Sequence, residues 1–292
     1  MKCLICKKNK FQIIWNDKIR SGSKTFTRKK YKVLQCDNCS LVFLEKKRKN
    51  LENSALTRKL YNKDNSIKEF LNFHTPRELK KLKFIEKKIN LINKKVLESN
   101  CGAGVLLNKL KKKSKITAGV DSIIYKEHLE KNGHLFFKNF EKIKKDNIKF
   151  DLIFSLSEIE HKYNPIKFLN NLKKILKNNG YLVLRVPNFY NIYMYLNQKS
   201  FFKYDYRTSH NYYFSKKNLD MLFENLKLKV MYKSGFNEYS ANHLLSYSKK
   251  RSRVRENEVI KYLKENHDRF LIKNIEDTFV STSLIYILKK IY

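Results

Sequence analysis

The stretch from Lys95 to Asp121 limits the possible folds more than any other part of the chain. It opens with a short apolar strand, Lys95–Leu97, and runs into Glu98-Ser-Asn-Cys-Gly-Ala-Gly104. Leu106, Leu107 and Leu110 then recur at helical spacing, and a second strand, Ile116–Val120, ends on Asp121. Two parallel strands need a crossover, and a helix of this length supplies one. Glycines at the first turn let backbone approach a nucleotide, and an acid ending the second strand can reach ribose hydroxyls.

The pattern continues further on. Phe150–Leu156 (FDLIFSL) is a nearly unbroken apolar run, as expected of a strand buried on both faces. It leads to Ser157-Glu-Ile-Glu-His161 and Asn164-Pro165, then to a helix with Ile166, Leu169, Leu172 and Leu176 on one side. Asn178-Asn-Gly180 reads as the stop of that helix, and Tyr181–Val186 as the next strand, ended by Pro187-Asn188. Upstream, Thr75 and Pro76 read as the cap and first turn of a helix over 75–93, with Leu79, Leu82, Ile85 and Ile89 on one face.

These segments, taken together, resemble the class I S-adenosylmethionine-dependent methyltransferases. Val96–Gly104 (VLESNCGAG) is similar to the family's first motif, roughly V-L-D-x-G-C-G-x-G, with Asn100 in place of the first glycine. Asn tolerates positive φ better than other residues with a Cβ. Residues 150–188 match the fourth and fifth motifs in order. The resemblance implies an α/β fold: a Rossmann-like, seven-stranded, mostly parallel sheet flanked by helices. It implies that Glu98, Asn100, Cys101, Gly102 and Gly104 surround the methionine part of S-adenosylmethionine, and that Asp121 grips the ribose. Asn139 and Phe140 would stand beside the adenine, and Ser155 would line the pocket. Glu160-His161 matches the family's acid–histidine pair, which in some members lies near the acceptor and more often caps the strand–helix turn.

Four of the five cysteines form two pairs, Cys3-x-x-Cys6 and Cys36-x-x-Cys39. Each spacing lets one tight turn aim two sulfurs at one tetrahedral ion, and two such turns complete the closed shell of structural Zn2+. Between them, Phe11–Trp15 and Tyr31–Leu34 read as two β-arms of a zinc-ribbon module. The alternative, disulfides, needs an oxidising compartment, and the opening MKCLICKKNK has no apolar signal segment. The expected location is cytoplasmic.

Methyl transfer requires an acceptor aligned in line with the donor and often stripped of a proton. Residues 189–214 are crowded with Tyr and Phe, which can hold a cation or stack on a sugar, or simply form a packed lid. His210-Asn-Tyr-Tyr-Phe-Ser215 resembles an H-x-x-Y-F-S element of zinc-containing sugar C-methyltransferases. Thr208 and Ser209 stand where those enzymes have the Tyr and Glu partners of the histidine. His210 is therefore the candidate general base, and a hydroxyl or amine acceptor is favoured over carbon.

The formal net charge is +37, which would suit an anionic partner. The chain also has 18 Tyr and 20 Phe with only 7 Gly and 3 Pro, a bias that AT-rich codons produce without selection for phosphate contacts. Nucleic acid is possible as a partner but not favoured. No apolar run has the length of a membrane span. The expected organisation is a zinc-binding module at 1–50 and a methyltransferase domain at 51–292. Residues 240–278 would be an insertion before a last strand, Leu284–Leu288, that returns antiparallel. The expected function is methylation of a small molecule, a sugar or nucleotide-linked sugar of surface-polysaccharide synthesis. RNA or protein methylation, or a zinc-ribbon scaffold with a degenerate core, are the alternatives. The sequence leaves the oligomeric state open.

Overall fold

The computed structural model describes residues 1–22, 25–49, 66–240, 243 and 268–291. The strands are β1 (Phe11–Asp17), β2 (Tyr31–Cys36), β3 (Val42–Leu44), β4 (Lys95–Ser99), β5 (Ile116–Val120), β6 (Leu135–Phe137), β7 (Phe150–Leu156), β8 (Leu176–Pro187), β9 (Tyr212–Tyr213), β10 (Leu228–Phe236) and β11 (Ser283–Lys290). The helices are α1 (Ile67–Glu86), α2 (Val105–Leu110), α3 (Lys126–Lys131), α4 (Phe140–Lys145), α5 (Pro165–Ile175), α6 (Ile192–Leu196), α7 (Gln198–Asp205), α8 (Lys216–Asn225) and α9 (Asp268–Asp277).

Seven strands form one sheet in the order β10-β11-β8-β7-β4-β5-β6. This is the expected α/β architecture. β4 lies parallel to β5, with Glu98 opposite Gly119, and parallel to β7, with Ser99 opposite Ser155. Val96, Leu97, Ile153 and Phe154 are fully or almost fully buried. Burial of each such side chain contributes about 1.5–3 kcal/mol, and with both faces covered these strands need no polar alternation. From β4 the chain steps outward to β5 and β6, then returns to β7 on the other side. The crevice between the carboxyl ends of β4 and β7 is thus the topological switch point, where open α/β sheets take their ligands.

Three local expectations are corrected. Helix α1 starts at Ile67, not at 75: Ser66 and Glu69 form a reciprocal capping box, and Pro76 lies inside the helix. Thr75 is not a cap but donates its hydroxyl to the Leu71 carbonyl at 2.6 Å. Gly180 does not end α5, because the chain turns extended at Leu176 and enters β8 at once. Glycine is required at 180 for space: a Cβ there would lie 2.9 Å from the Asp151 carbonyl oxygen and 3.1 Å from that of Phe150.

The chain divides into two units. The first comprises Met1–Lys47, Arg185–Leu222 and Lys233–Ile285. Its sheet has the order β1-β2-β3-β9, with Val42 paired to Tyr213 and Phe43 to Tyr212. Its core gathers Ile19, Val33, Val42 and Leu44 with Phe189, Tyr193, Phe201, Tyr206 and Tyr213. Much of the aromatic segment at 189–214 is therefore packed interior; Tyr195 and Tyr204 are exposed. The second unit comprises Arg48–Leu184, Phe223–Tyr232 and Tyr286–Tyr292. Most of the basic, Ser-rich run 240–255 and most of the expected 240–278 insertion fall outside the described residues. Among those described, no helix is long and apolar enough to cross a membrane.

Candidate functional site

Within the second unit, the turn leaving β4 takes three left-handed steps, at Asn100 (φ 61°), Gly102 (φ 55°) and Gly104 (φ 75°). Asn100 adopts the conformation that the missing glycine would have taken. Its amide donates to the Val120 carbonyl at 2.8 Å, and the Gly104 amide to that of Cys101 at 3.0 Å. Gly104 is fixed twice, by its φ and by space: a Cβ would sit 2.6 Å from Leu129 Cδ2. Cys101 is buried, and its thiol fills the gap left by Gly119, where any Cβ would collide with it. Asp121 closes the turn. Its Oδ2 accepts the Gly102 amide at 2.6 Å and its Oδ1 accepts the Ser122 amide at 2.6 Å. Glu98, 5% exposed, lies between these elements in register with Gly119 and Phe154.

On β7, Ser155 does not act alone. Its hydroxyl donates to Glu158 Oε2 at 3.1 Å, and Ser99 Oγ donates to the same oxygen at 2.5 Å. Glu158 is buried, and Lys162 pairs with its other oxygen at 2.8 Å. Glu158 and Ser99 were not among the residues singled out from sequence. The available signal was a second acid in the turn after β7, at the switch-point edge. Glu160 is buried in the 3-10 turn Ile159–His161, with its Oε1 3.9 Å from His161 Nε2. Asn139 caps α4, accepting the Glu141 amide at 3.0 Å, and Phe140 packs 6.0 Å from the Phe168 ring.

The model of a methyltransferase-domain family matches residues 53–233, more than half of the chain. The chain belongs to this methyltransferase-domain family. Its seven-stranded, mostly parallel sheet is the architecture expected from the sequence. The chain is 32% identical over 116 residues to the ubiquinone biosynthesis O-methyltransferase of Coxiella burnetii, covering 37% of this chain and 50% of that one. To the enzyme of the same name from Glaesserella parasuis it is 30% identical over 122 residues, covering 37% and 52%. The chain spans about half the length of the curated relatives it matches. Among solved structures, a chain from a complex containing the Haloferax volcanii Trm112 methyltransferase activator aligns with TM-score 0.54 at 14% identity, covering 85% of this chain and 100% of that one. That likeness speaks to the fold alone.

The residues of the methyltransferase's β4 turn fit the cofactor. The turn takes left-handed steps at 100, 102 and 104, two of them without a side chain, and the Asp121 carboxylate is clamped beside them. A second network ties β5 to α2, the helix that follows this turn. Buried His134 bridges Thr117 Oγ1 on β5 (2.7 Å from Nδ1) and Asn108 Oδ1 on α2 (2.9 Å from Nε2). Burial, reinforced by Lys111 and His128, lowers its pKa to about 4, so the ring is neutral at pH 7.

In the first unit of the methyltransferase, the sulfurs of Cys3, Cys6, Cys36 and Cys39 all lie within 4.8 Å of one another, and none is in a disulfide. The two Cys-x-x-Cys segments make the same turn twice. Cys3 N–H donates to Lys8 O and Lys7 N–H to Cys3 O; 33 residues on, Cys36 N–H donates to Leu41 O and Ser40 N–H to Cys36 O. Lys7 and Ser40 both take positive φ, 63° and 59°. Sγ atoms of Cys3 and Cys39, and of Cys6 and Cys36, are 3.5 Å apart. A tetrahedron with Zn–S of about 2.3 Å has edges of about 3.8 Å, so the donor set suits zinc. The bond from Cys39 draws the Cys3 thiol down to about 5, while the same bond and burial push the Cys39 thiol up.

His210 belongs to the same unit, 8% exposed, with its ring 5.7 Å from that of Tyr213. Its amide donates to Arg207 O at 3.2 Å, and the neighbouring Thr208 and Ser209 are buried. Ser215 and Asn218 secure the start of α8 by a reciprocal pair: Ser215 N–H to Asn218 Oδ1 at 3.0 Å and Asn218 Nδ2 to Ser215 Oγ at 2.8 Å.

Proposed function

We propose that this methyltransferase acts on a hydroxyl group of a small molecule. The observation that supports the cofactor half of this reading is the Gly102–Asp121 clasp at the carboxyl edge of β4 and β5, where an acid beside a glycine turn can meet a ribose. When bound, S-adenosylmethionine supplies an electrophilic methyl on a sulfonium. Backbone at Asn100, Cys101, Gly102 and Gly104, with Glu98, holds the methionine end, while Asp121 orients the ribose. Asn139 and Phe140 bound the adenine, and Ser155 contributes to the pocket floor. His210 takes the acceptor's proton, and Glu160-His161 shapes the turn beside β7. The four cysteines hold structural Zn2+ in a shell closed to chemistry, within a cytoplasmic protein.

The acceptor is a sugar or nucleotide-linked sugar of surface-polysaccharide synthesis, a reading supported by the pairing of a four-cysteine module with this core. A second reading, hydroxyl methylation of a ubiquinone precursor, is favoured by the names of the curated relatives. Calorimetry with S-adenosylhomocysteine tests the site, and absence of binding would leave a scaffold with a degenerate core. An S-adenosylhomocysteine-release assay over nucleotide sugars, hydroxylated aromatics and RNA then separates the acceptors. His210→Ala should lower turnover while cofactor binding persists; unchanged turnover would rule out the base assignment.

A further inference from the structure

The turn after β4 runs without its first glycine, and the residue just before the substitution makes an unusual bond. Ser99 is the last residue of β4 and 1% exposed. Its hydroxyl lies 2.5 Å from Glu158 Oε2, closer than its other acceptor, Phe154 O at 3.3 Å. Glu158 is itself immobilised before it takes hold of Ser99. Lys162 neutralises one carboxylate oxygen at 2.8 Å, and Ser155 donates to the other at 3.1 Å. A buried carboxylate is retained only when a counter-charge and hydrogen bonds surround it, and here both are present. Glu158 can therefore serve as a fixed post at the end of β7, tying β4 to it across the switch-point crevice.

We propose that the Ser99–Glu158 bond is a latch that keeps Asn100 in its left-handed conformation, making Ser99 and Glu158 positioning residues for the cofactor turn. The inference rests on the reading of 98–104 as that turn. Glycine enters φ near 60° without a steric penalty, whereas a residue with a Cβ prefers to leave it. Asn100 holds φ 61° while its amide stays bonded to Val120, and the Gly102 amide two residues on must still meet Asp121. Pinning the Ser99 side chain to a fixed carboxylate restricts the direction in which the chain leaves β4. Relaxation of Asn100 would then have to break a charge-assisted bond. With glycine at 100, the same turn would stand without the latch.

The test measures S-adenosylhomocysteine affinity by calorimetry, with thermal unfolding alongside, for the full chain and for Ser99→Ala, Asn100→Gly and the double variant. Ser99→Ala should weaken binding about tenfold. Asn100→Gly, added to Ser99→Ala, should restore most of the lost affinity, because glycine holds this turn unaided. Binding unaffected by Ser99→Ala, or a double variant no tighter than Ser99→Ala, overturns the latch. If Ser99→Ala also lowers Tm, recovery of affinity in the double variant still decides the matter. An unaltered chain that binds no S-adenosylhomocysteine instead overturns the cofactor reading, and the latch with it.

Discussion

Gly102 donates its amide to Asp121 Oδ2 at 2.6 Å, joining the turn after β4 to the acid that ends β5. Neither half of the site is thus independent: the carboxylate is oriented by the loop it helps to shape. Asp121→Asn keeps the size but removes the charge from this bond. Hydrogen bonds to charged groups contribute about 1.5–3 kcal/mol, so S-adenosylhomocysteine affinity should fall at least tenfold by calorimetry. Affinity within twofold of the unaltered chain would show that Asp121 has no part in binding.

Gly104→Ala adds a methyl group at φ 75°, 2.6 Å from Leu129 Cδ2. The left-handed conformation costs about 1–2 kcal/mol with a Cβ, and crowding a packed site adds about 1–3 kcal/mol. Denaturant unfolding should show a loss of about 2–5 kcal/mol. A midpoint that does not move would mean that Leu129 yields and the turn is softer than described.

The buried His134 makes stability depend on acid. Its pKa is lowered from 6.5 to about 4, first by burial and then by Lys111 and His128. Between those values the unfolded chain binds a proton that the folded chain refuses. The contribution is therefore complete above pH 6.5 and is lost as pH falls towards 4, about 3 kcal/mol in all. Comparing unfolding at pH 7 and pH 4.5, the unaltered chain should lose about 2 kcal/mol more than His134→Gln. Equal losses would mean that His134 is readily protonated in the fold.

Four thiolates in matched turns predict about one zinc per chain by elemental analysis of the purified protein. Stripping the metal with a chelator should lower Tm, and Cys36→Ser should do the same without added chelator. Purified protein that carries no zinc and ignores the chelator would remove the metal from the account.

The sheet's centre was readable because its strands are continuous apolar runs with clear ends. β5 and β7 fall on the expected residues, and β4 runs two residues longer. Position-dependent residues misled. Pro76 suits a first helical turn in isolation, but the Ser66–Glu69 box upstream governs where α1 begins. Gly180 has the chemistry of a helix stop, yet it serves the close approach of β8 to the carbonyls of residues 150 and 151. Glu158 was hidden for a different reason. An acid after a strand reads as solvated turn, and only the fold brings Ser99 to join its sequence neighbours Ser155 and Lys162 around it.

The pairing of Val42 with Tyr213 joins positions about 170 residues apart. The hairpin made by β1 and β2 leaves the ribosome well before β9, so its sheet gains a fourth strand only after about 170 further residues have been synthesised. Until then the edge of β3 is an open ladder, able to recruit another chain. Occupied cysteine turns would rigidify the nascent hairpin during that interval, making metal supply during translation a determinant of yield as well as of final stability.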